Sequence, residues 1–377
     1  WYYLLRLHGW TGDGIMSTVA NKLIRAKSDS GFTPDPDFTK LLTIAGQGGT
    51  TLLNDLDNAT QIDYFYNSQI AINPYGSASS WSAVDDTNKV FFSTNANADR
   101  LSCADWSDDT DISFASSVVD SVNLDSVRFL AIDPLKEYAY TINSSTTANR
   151  NISRYDYSNP TSITRKWSVP NTASKYGLTV NPTRELLYYF TSLRFYTYDI
   201  SPTGTNSPTQ EDNLYIGSST QYVKGTFLDT ENDILYAAAS GDRLLAIDVS
   251  DETAAVLLDT LTDNTNLDQA VAVEVDVDAG IAFVSTRYGK ISSIDVSDPS
   301  NLTLLDTYTG VGNSNDDLKR SMAIDAGAKR VYHSYGTSYA PSGVKVIEYS
   351  DPSNLTLEAT IDHSSSAYKG PKVHLYN

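Results

Sequence analysis

Four histidines, His8, His333, His363 and His374, are the side chains of this chain best suited to metal or proton-transfer chemistry. Three of them fall in the last 45 residues, and His333 and His374 lie on predicted strands. Gathered with acids in a central channel, such groups could hold a metal. No HxH, HExxH or HxxxH pair supports that, so they read as isolated strand and loop positions and no metal ligand is assigned.

Two acidic stretches, Asp276-Val-Asp278-Ala-Gly280 and Asp229-Thr-Glu231-Asn232-Asp233, place oxygens at alternate positions, as calcium loops do. Neither has the later bidentate Glu, and both fall where a hairpin turn is expected, so turn capping is the favoured reading. Nucleophile signatures are absent: there is no G-x-S-x-G, and Cys103 has no histidine nearby in sequence. Cys103 sits where Leu245 and Ser293 sit in related stretches, which suits a packed core thiol. Gly46–Gly49 lacks the lysine of a phosphate-binding loop. No catalytic, cofactor-binding or metal residue is therefore assigned. N-x-S/T sequons occur at Asn58, Asn143, Asn151, Asn301 and Asn354 and are expected to mark exposed positions at most.

Composition narrows the partners. With 27 basic and 46 acidic side chains the net charge is −19, which disfavours phosphate backbones and anionic membranes, and no run of Lys and Arg offsets it. No apolar run approaches the ~20 residues of a membrane span. Trp1–Trp10 is short, lacks a basic start and contains Arg6 and His8, so it is not read as a signal peptide. The lone cysteine excludes an intrachain disulfide. Abundant Ser, Thr, Asn and Tyr (25 Tyr) favour strands and polar turns over helices.

Those strands repeat. AVDDTNKVFFST, AIDPLKEYAYTI, TVNPTRELLYYF, FLDTENDILYAA, VEVDVDAGIAFVS and AIDAGAKRVYHS share a small-apolar strand ending in an acid or Asn, a turn, and an aromatic-bearing strand. The markers Asp85, Asp133, Asn181, Asp229, Asp276 and Asp325 are 48, 48, 48, 47 and 49 residues apart. A second ladder, Asp105, Asp156, Asp199, Asp248, Asp295 and Glu348, closes each third strand. Six units of about 48 residues with four strands each predict an all-β propeller, because a four-stranded sheet has two apolar faces and must stack on neighbours to bury them. The small-residue strand, such as Val271–Val275, is expected innermost.

Residues 81–362 hold the six repeats. Residues 1–80 are expected to contribute strands near Leu23–Lys27, Phe38–Ile44 and Thr50–Leu56, with Ala59–Ser80 irregular. Residues 363–377 would supply one closing strand, Val373–Tyr376. Pairing the two termini in one sheet closes the ring and removes exposed edges. Seven blades is the favoured number, with six or eight as alternatives.

The third-strand stretches LLAIDVSD (Leu244–Asp251), ISSIDVSDPSNLTLL (Ile291–Leu305) and VKVIEYSDPSNLTLE (Val344–Glu358) resemble the LVIVD repeat; ISRYDYSNPTSIT (Ile152–Thr164) does so less closely. The resemblance implies a surface-exposed or secreted propeller and brings no catalytic residues. The expected function is a non-catalytic structural or binding module at a cell surface, filament or virion. Its contacts would be protein neighbours in an assembly or a surface glycan, with no nucleic acid and no membrane insertion. Tyr64, Tyr66, Tyr75 and Tyr222 would offer contact area, and Trp1–Ser80 would attach to a neighbouring subunit. A glycan hydrolase or lyase with a channel-mouth site and a calcium-stabilised adhesin are the alternatives; oligomeric state stays open.

Overall fold

The computed structural model describes residues 81–95, 98–107, 113–143, 151–170, 176–201, 207–217, 222–311, 322–335 and 343–360 in full. It also gives the backbone of strands at 40–44, 50–55, 60–66, 342, 361–363 and 372–376. Each repeat folds as a four-stranded antiparallel blade of consecutive strands: 82–119, 127–170, 176–215, 223–262, 270–309 and 322–363, numbered one to six here. A further four-stranded sheet joins the chain's two ends. Lys372–Tyr376 lies beside Lys40–Ile44, followed by Thr50–Asp55 and Thr60–Tyr66. The termini pair in register Leu42↔His374.

Phe38–Ile44 and Thr50–Leu56 are thus strands within two residues at each end. Leu23–Lys27 lies outside the described residues. Thr60–Tyr66, expected to be irregular, is a strand of this sheet. Its run TQIDYFY is rich in strand formers and lies between Asp57-Asn58 and Asn67-Ser68, but it falls outside the 48-residue repeat, and pairing to Thr50–Asp55 places it.

The first strands run along the axis, each touching the first strand of the next blade, and Lys372–Tyr376 touches that of blade six. Burial falls outward. Second strands are the most buried, Ile234–Ala239 and Ile281–Thr286 along their whole length, while fourth strands such as Val256–Thr262 expose both ends. The core therefore lies between blades. Tyr236, Ala238 and Leu244 of blade four, for instance, pack against Val273, Val275 and Val284 of blade five.

Both acidic ladders are turn hardware. The Asp229 Oδ1 accepts the Glu231 and Asn232 amides at 3.0 and 3.1 Å, and its Oδ2 takes the Asn232 side chain at 2.8 Å. Asp85 does the same with Thr87 and Asn88. In the second ladder each acid accepts the amide of a serine two residues on, as Asp248 does from Ser250 at 2.8 Å and Asp295 from Ser297 at 3.0 Å. The Ser297 hydroxyl and amide hold the Asp295 carboxyl below its usual range. A depressed carboxylate stabilises the fold at pH above its unfolded value and loses that contribution as pH falls. Thermal scans are thus expected to show stability declining below about pH 4, and a flat profile would contradict the capping role.

The last residue of every first turn is left-handed: Lys89, Glu137, Glu185, Asp233, Gly280 and Lys329, with φ between 53° and 66°. Only one of the six is glycine, although an L-residue there is disfavoured by about 1 kcal/mol. Replacing Glu137 (φ 56°) with Gly is expected to raise stability by a few tenths to 1 kcal/mol in urea titrations.

Candidate functional site

The two ends of the ring differ. At one end, the turn face, the connections 86–89, 134–137, 182–185, 230–233, 277–280 and 326–329 are all four residues long. The other connections of that face are seven residues each, except 200–208. At the opposite end, the loop face, connections between second and third strands run from three residues (240–242) to seven (144–150). Those between consecutive blades run from five (171–175) to twelve (310–321). Uniform turns serve the repeat; uneven ones are where a rigid scaffold carries function.

The loop face also carries the exposed aromatics. Tyr215, Tyr222 and Tyr288 are the exposed large aromatics among the described residues, and all three lie at this end. Tyr222, anticipated from the sequence, is 40% exposed and packs on Tyr176 with ring centroids 4.7 Å apart. Its amide lies 3.3 Å from the Ser240 hydroxyl and its carbonyl accepts the Ser240 amide at 3.0 Å, which fixes the ring's base. The backbone of Tyr64 and Tyr66 lies in the end-joining sheet, and Tyr75 is outside the described residues.

The first strands enter this face through bulges. The register slips at Arg128 in blade two, at Gly177 in blade three, at Lys224 in blade four and at Val271 in blade five. A bulge leaves one residue out of the ladder and re-aims its side chain. Arg128, Tyr176 and Lys224 each stand five residues before their blade's marker, on three successive channel strands, and all three are partly exposed. Arg128 and Lys224 are themselves the unpaired bulge residues, whereas Tyr176 stays paired with Phe190 and Gly177 takes the bulge in blade three. Sequence reasoning missed these bulges because no local pattern marks them; the slip falls four residues before the marker in blade three and five before it in blades two, four and five.

The other candidates disperse. His333 is fully buried on Arg330–Tyr335. It shares a strand face with Val331, which packs against Phe283 of blade five. His374 lies on Lys372–Tyr376, His363 ends Thr356–His363, and His8 is outside the described residues. No group of three His, Cys, Asp or Glu suited to a metal occurs among the described residues. The Asp276 and Asp229 stretches are turns on the opposite face, with carboxylates already engaged by the chain.

Asn143 and Asn151 correct the expectation that sequons mark exposed positions. Asn143 is 0% exposed and donates to the Val122 carbonyl at 3.0 Å, while Asn151 donates to the Asn123 side chain at 2.9 Å. Their amides are spent bracing a loop-face connection. Asn301 and Asn354 are exposed on the turn face, and Asn58 is outside the described residues.

Cys103 is fully buried, and burial, followed by the charges of Asp105 and Asp85, pushes its thiol up to about 12. It is expected to resist alkylation at pH 8 until the fold opens, so the labelling rate should follow global unfolding in denaturant. Rapid labelling of the native protein would contradict this packing.

No helix among the described residues is long and apolar enough to cross a membrane. No protein-family model matches the sequence, and no curated protein matches it. Solved structures do match. The periplasmic gluconolactonase of Pseudomonas aeruginosa superposes with a TM-score of 0.69 at 12% identity, over 90% of this chain and 99% of that one. A functionally unknown protein from Desulfotomaculum acetoxidans gives 0.69 at 11% identity, with the same coverage of both chains. A protein from Lactobacillus plantarum gives 0.68 at 11% identity, again over 90% and 99%. At such identities the likeness is one of fold: the chain is an all-β propeller of four-stranded blades.

Proposed function

We propose that this protein is a non-catalytic binding propeller displayed outside the cell, which receives a protein neighbour or a glycan on its loop face. The observation that carries the reading is the asymmetry of the two ends: nearly all variation in connection length, and the three exposed tyrosines among the described residues, lie on one of them. The turn face is occupied with holding blades together. Arg184 bridges from blade three to the Val249 carbonyl at 2.7 Å and the Asp233 carboxylate at 3.2 Å, and Lys136 reaches Glu185 at 2.6 Å. In this reading the blades are LVIVD-type repeats, and the end-joining sheet completes a seven-bladed ring. The net charge of −19 argues against a nucleic-acid partner.

The test is electron microscopy of the assembly purified from its native source. Partner density over the end that carries Tyr215, Tyr222 and Tyr288 is expected. Density seated only on the four-residue turns would overturn the proposal.

A second reading is a lactone-opening enzyme. It is favoured by the fold shared with a gluconolactonase over nearly the whole of that chain. That neighbour is periplasmic, which agrees with a place outside the cytoplasm. Titration of acid released from glucono-δ-lactone decides between the two. Turnover abolished by Arg128→Gln would install the enzyme, and a rate equal to buffer would remove it. The calcium-stabilised alternative requires a melting temperature that falls on chelation.

A further inference from the structure

We infer that Asn301 and Asn354 are N-glycosylation sites, each carrying an oligosaccharide on its side-chain nitrogen at the turn face. The inference rests on the reading of this protein as one displayed outside the cell and adds a covalent modification to it.

Four sequons, at Asn143, Asn151, Asn301 and Asn354, have their asparagine among the described residues, and the fold sorts them. Asn143 and Asn151 are buried with their side-chain nitrogens donating to the Val122 carbonyl and the Asn123 side chain. Ser153, which completes the second of these sequons, is 0% exposed. A sugar on either asparagine would have to displace the connection they brace. Asn301 and Asn354 are exposed, and so are Thr303 and Thr356, the hydroxyl residues two places on. Between them Leu302 and Leu355 are buried. Extended backbone sends alternate residues to one side, so each asparagine and its threonine face solvent together, and those are the two residues by which an acceptor is recognised.

The turn itself does not ask for asparagine. Connections 296–302 and 349–355 close with the Asn301 amide on the Asp298 carbonyl and the Asn354 amide on the Asp351 carbonyl, both at 2.9 Å. Connections 157–163 and 249–255 close the same turn with the Ser162 amide on Asn159 at 2.9 Å and the Ala254 amide on Asp251 at 3.2 Å. Serine and alanine serve the fold there because the bond uses only the backbone; asparagine adds an exposed carboxamide. The middle residue of each sequon is anchored to the preceding blade. The Leu302 amide donates to Asp259 Oδ2 at 2.8 Å, and the Leu355 amide to Asp306 Oδ2 at 2.7 Å. The co-substrate is an oligosaccharide linked through phosphate or pyrophosphate to a membrane lipid. The asparagine nitrogen bonds to the anomeric carbon as the bond from that carbon to the phosphate oxygen breaks. The lipid phosphate leaves with the electron pair, and the amide proton passes to a base of the transferase. Two glycans on blades five and six then shield part of the turn face and leave the loop face open.

The experiment isolates the full chain from its native source, separates cytoplasmic from exported material, and maps the peptides of the exported protein by mass, with electron-transfer fragmentation that leaves glycans on their residues. Oligosaccharide mass is expected on Asn301 and Asn354, with Asn143 and Asn151 unmodified. Asn301→Gln and Asn354→Gln should each remove one oligosaccharide from the intact mass. Neither should change the melting temperature of the unglycosylated chain, because Ala254 fills the same place in blade four. Bare Asn301 and Asn354 on exported protein overturn the inference while leaving the place outside the cell standing. A glycan on Asn143 or Asn151 of the folded protein overturns the selection by burial. Recovery of the chain from the cytoplasm alone removes the reading, and the inference with it.

Discussion

Asp276→Ala is expected to destabilise the fold by about 3 kcal/mol, measured by urea or thermal unfolding. The carboxylate is 2% exposed and serves two blades at once. Within blade five its Oδ1 accepts the Ala279 amide at 3.2 Å. From blade six, its Oδ2 receives the Tyr349 hydroxyl and the Lys329 ammonium, both at 2.8 Å. Tyr349 is itself 1% exposed, and burial, followed by the adjacent Asp276 carboxylate, drives its phenol well above the usual range, so it remains a donor at any ordinary pH. Removing the acceptor strands a buried hydroxyl, which carries most of the cost. Lys329 is 39% exposed and can turn to water, so its share is small.

Two comparisons make the claim specific. Tyr349→Phe should cost only about 1 kcal/mol, because Asp276 keeps Lys329 and its own turn. Asp133→Ala should also cost only about 1 kcal/mol. That carboxylate caps Leu135 and Lys136, but its Oδ2 has no partner, since the next blade presents Ile200 where Tyr349 stands. Burial accordingly raises the Asp133 carboxyl above its usual range. Equal losses at Asp133 and Asp276 would show that turn capping alone, with no contribution across the seam, sets the stability.

Gly225→Ala should cost a similar amount, about 3 kcal/mol, for a steric reason. An added Cβ would lie 2.6 Å from Ala272 Cα, 3.0 Å from the Val271 carbonyl oxygen and 3.1 Å from the Val273 nitrogen. All three are backbone atoms of the adjoining channel strand, so no rotamer change relieves the contact and blades four and five must part. Thr226→Ala, one residue along, removes only the hydroxyl bond to Thr179 and should cost about 1 kcal/mol. A melting temperature unchanged by Gly225→Ala would mean that the channel strands have room to separate.

What the sequence determined is whatever the chain encodes locally. The 48-residue period, the four strands per unit and the acids that end the first and third strands are legible because alternation and turn capping involve residues two or three positions apart. The pairing of Val373–Tyr376 with the N-terminal strands followed from counting the same period once more. Contacts between blades were not legible. The partner of Asp276 stands 73 residues away, that of Asp85 stands 72 away, and Gly225 is explained by Ala272. The buried sequons Asn143 and Asn151 belong to the same class, since what covers them comes from the connection leading into their blade. The stacking of Tyr176 on Tyr222 is likewise a product of tertiary structure. The two rings, from blade three and from the connection into blade four, meet only when neighbouring blades stack, and no local pattern records that contact.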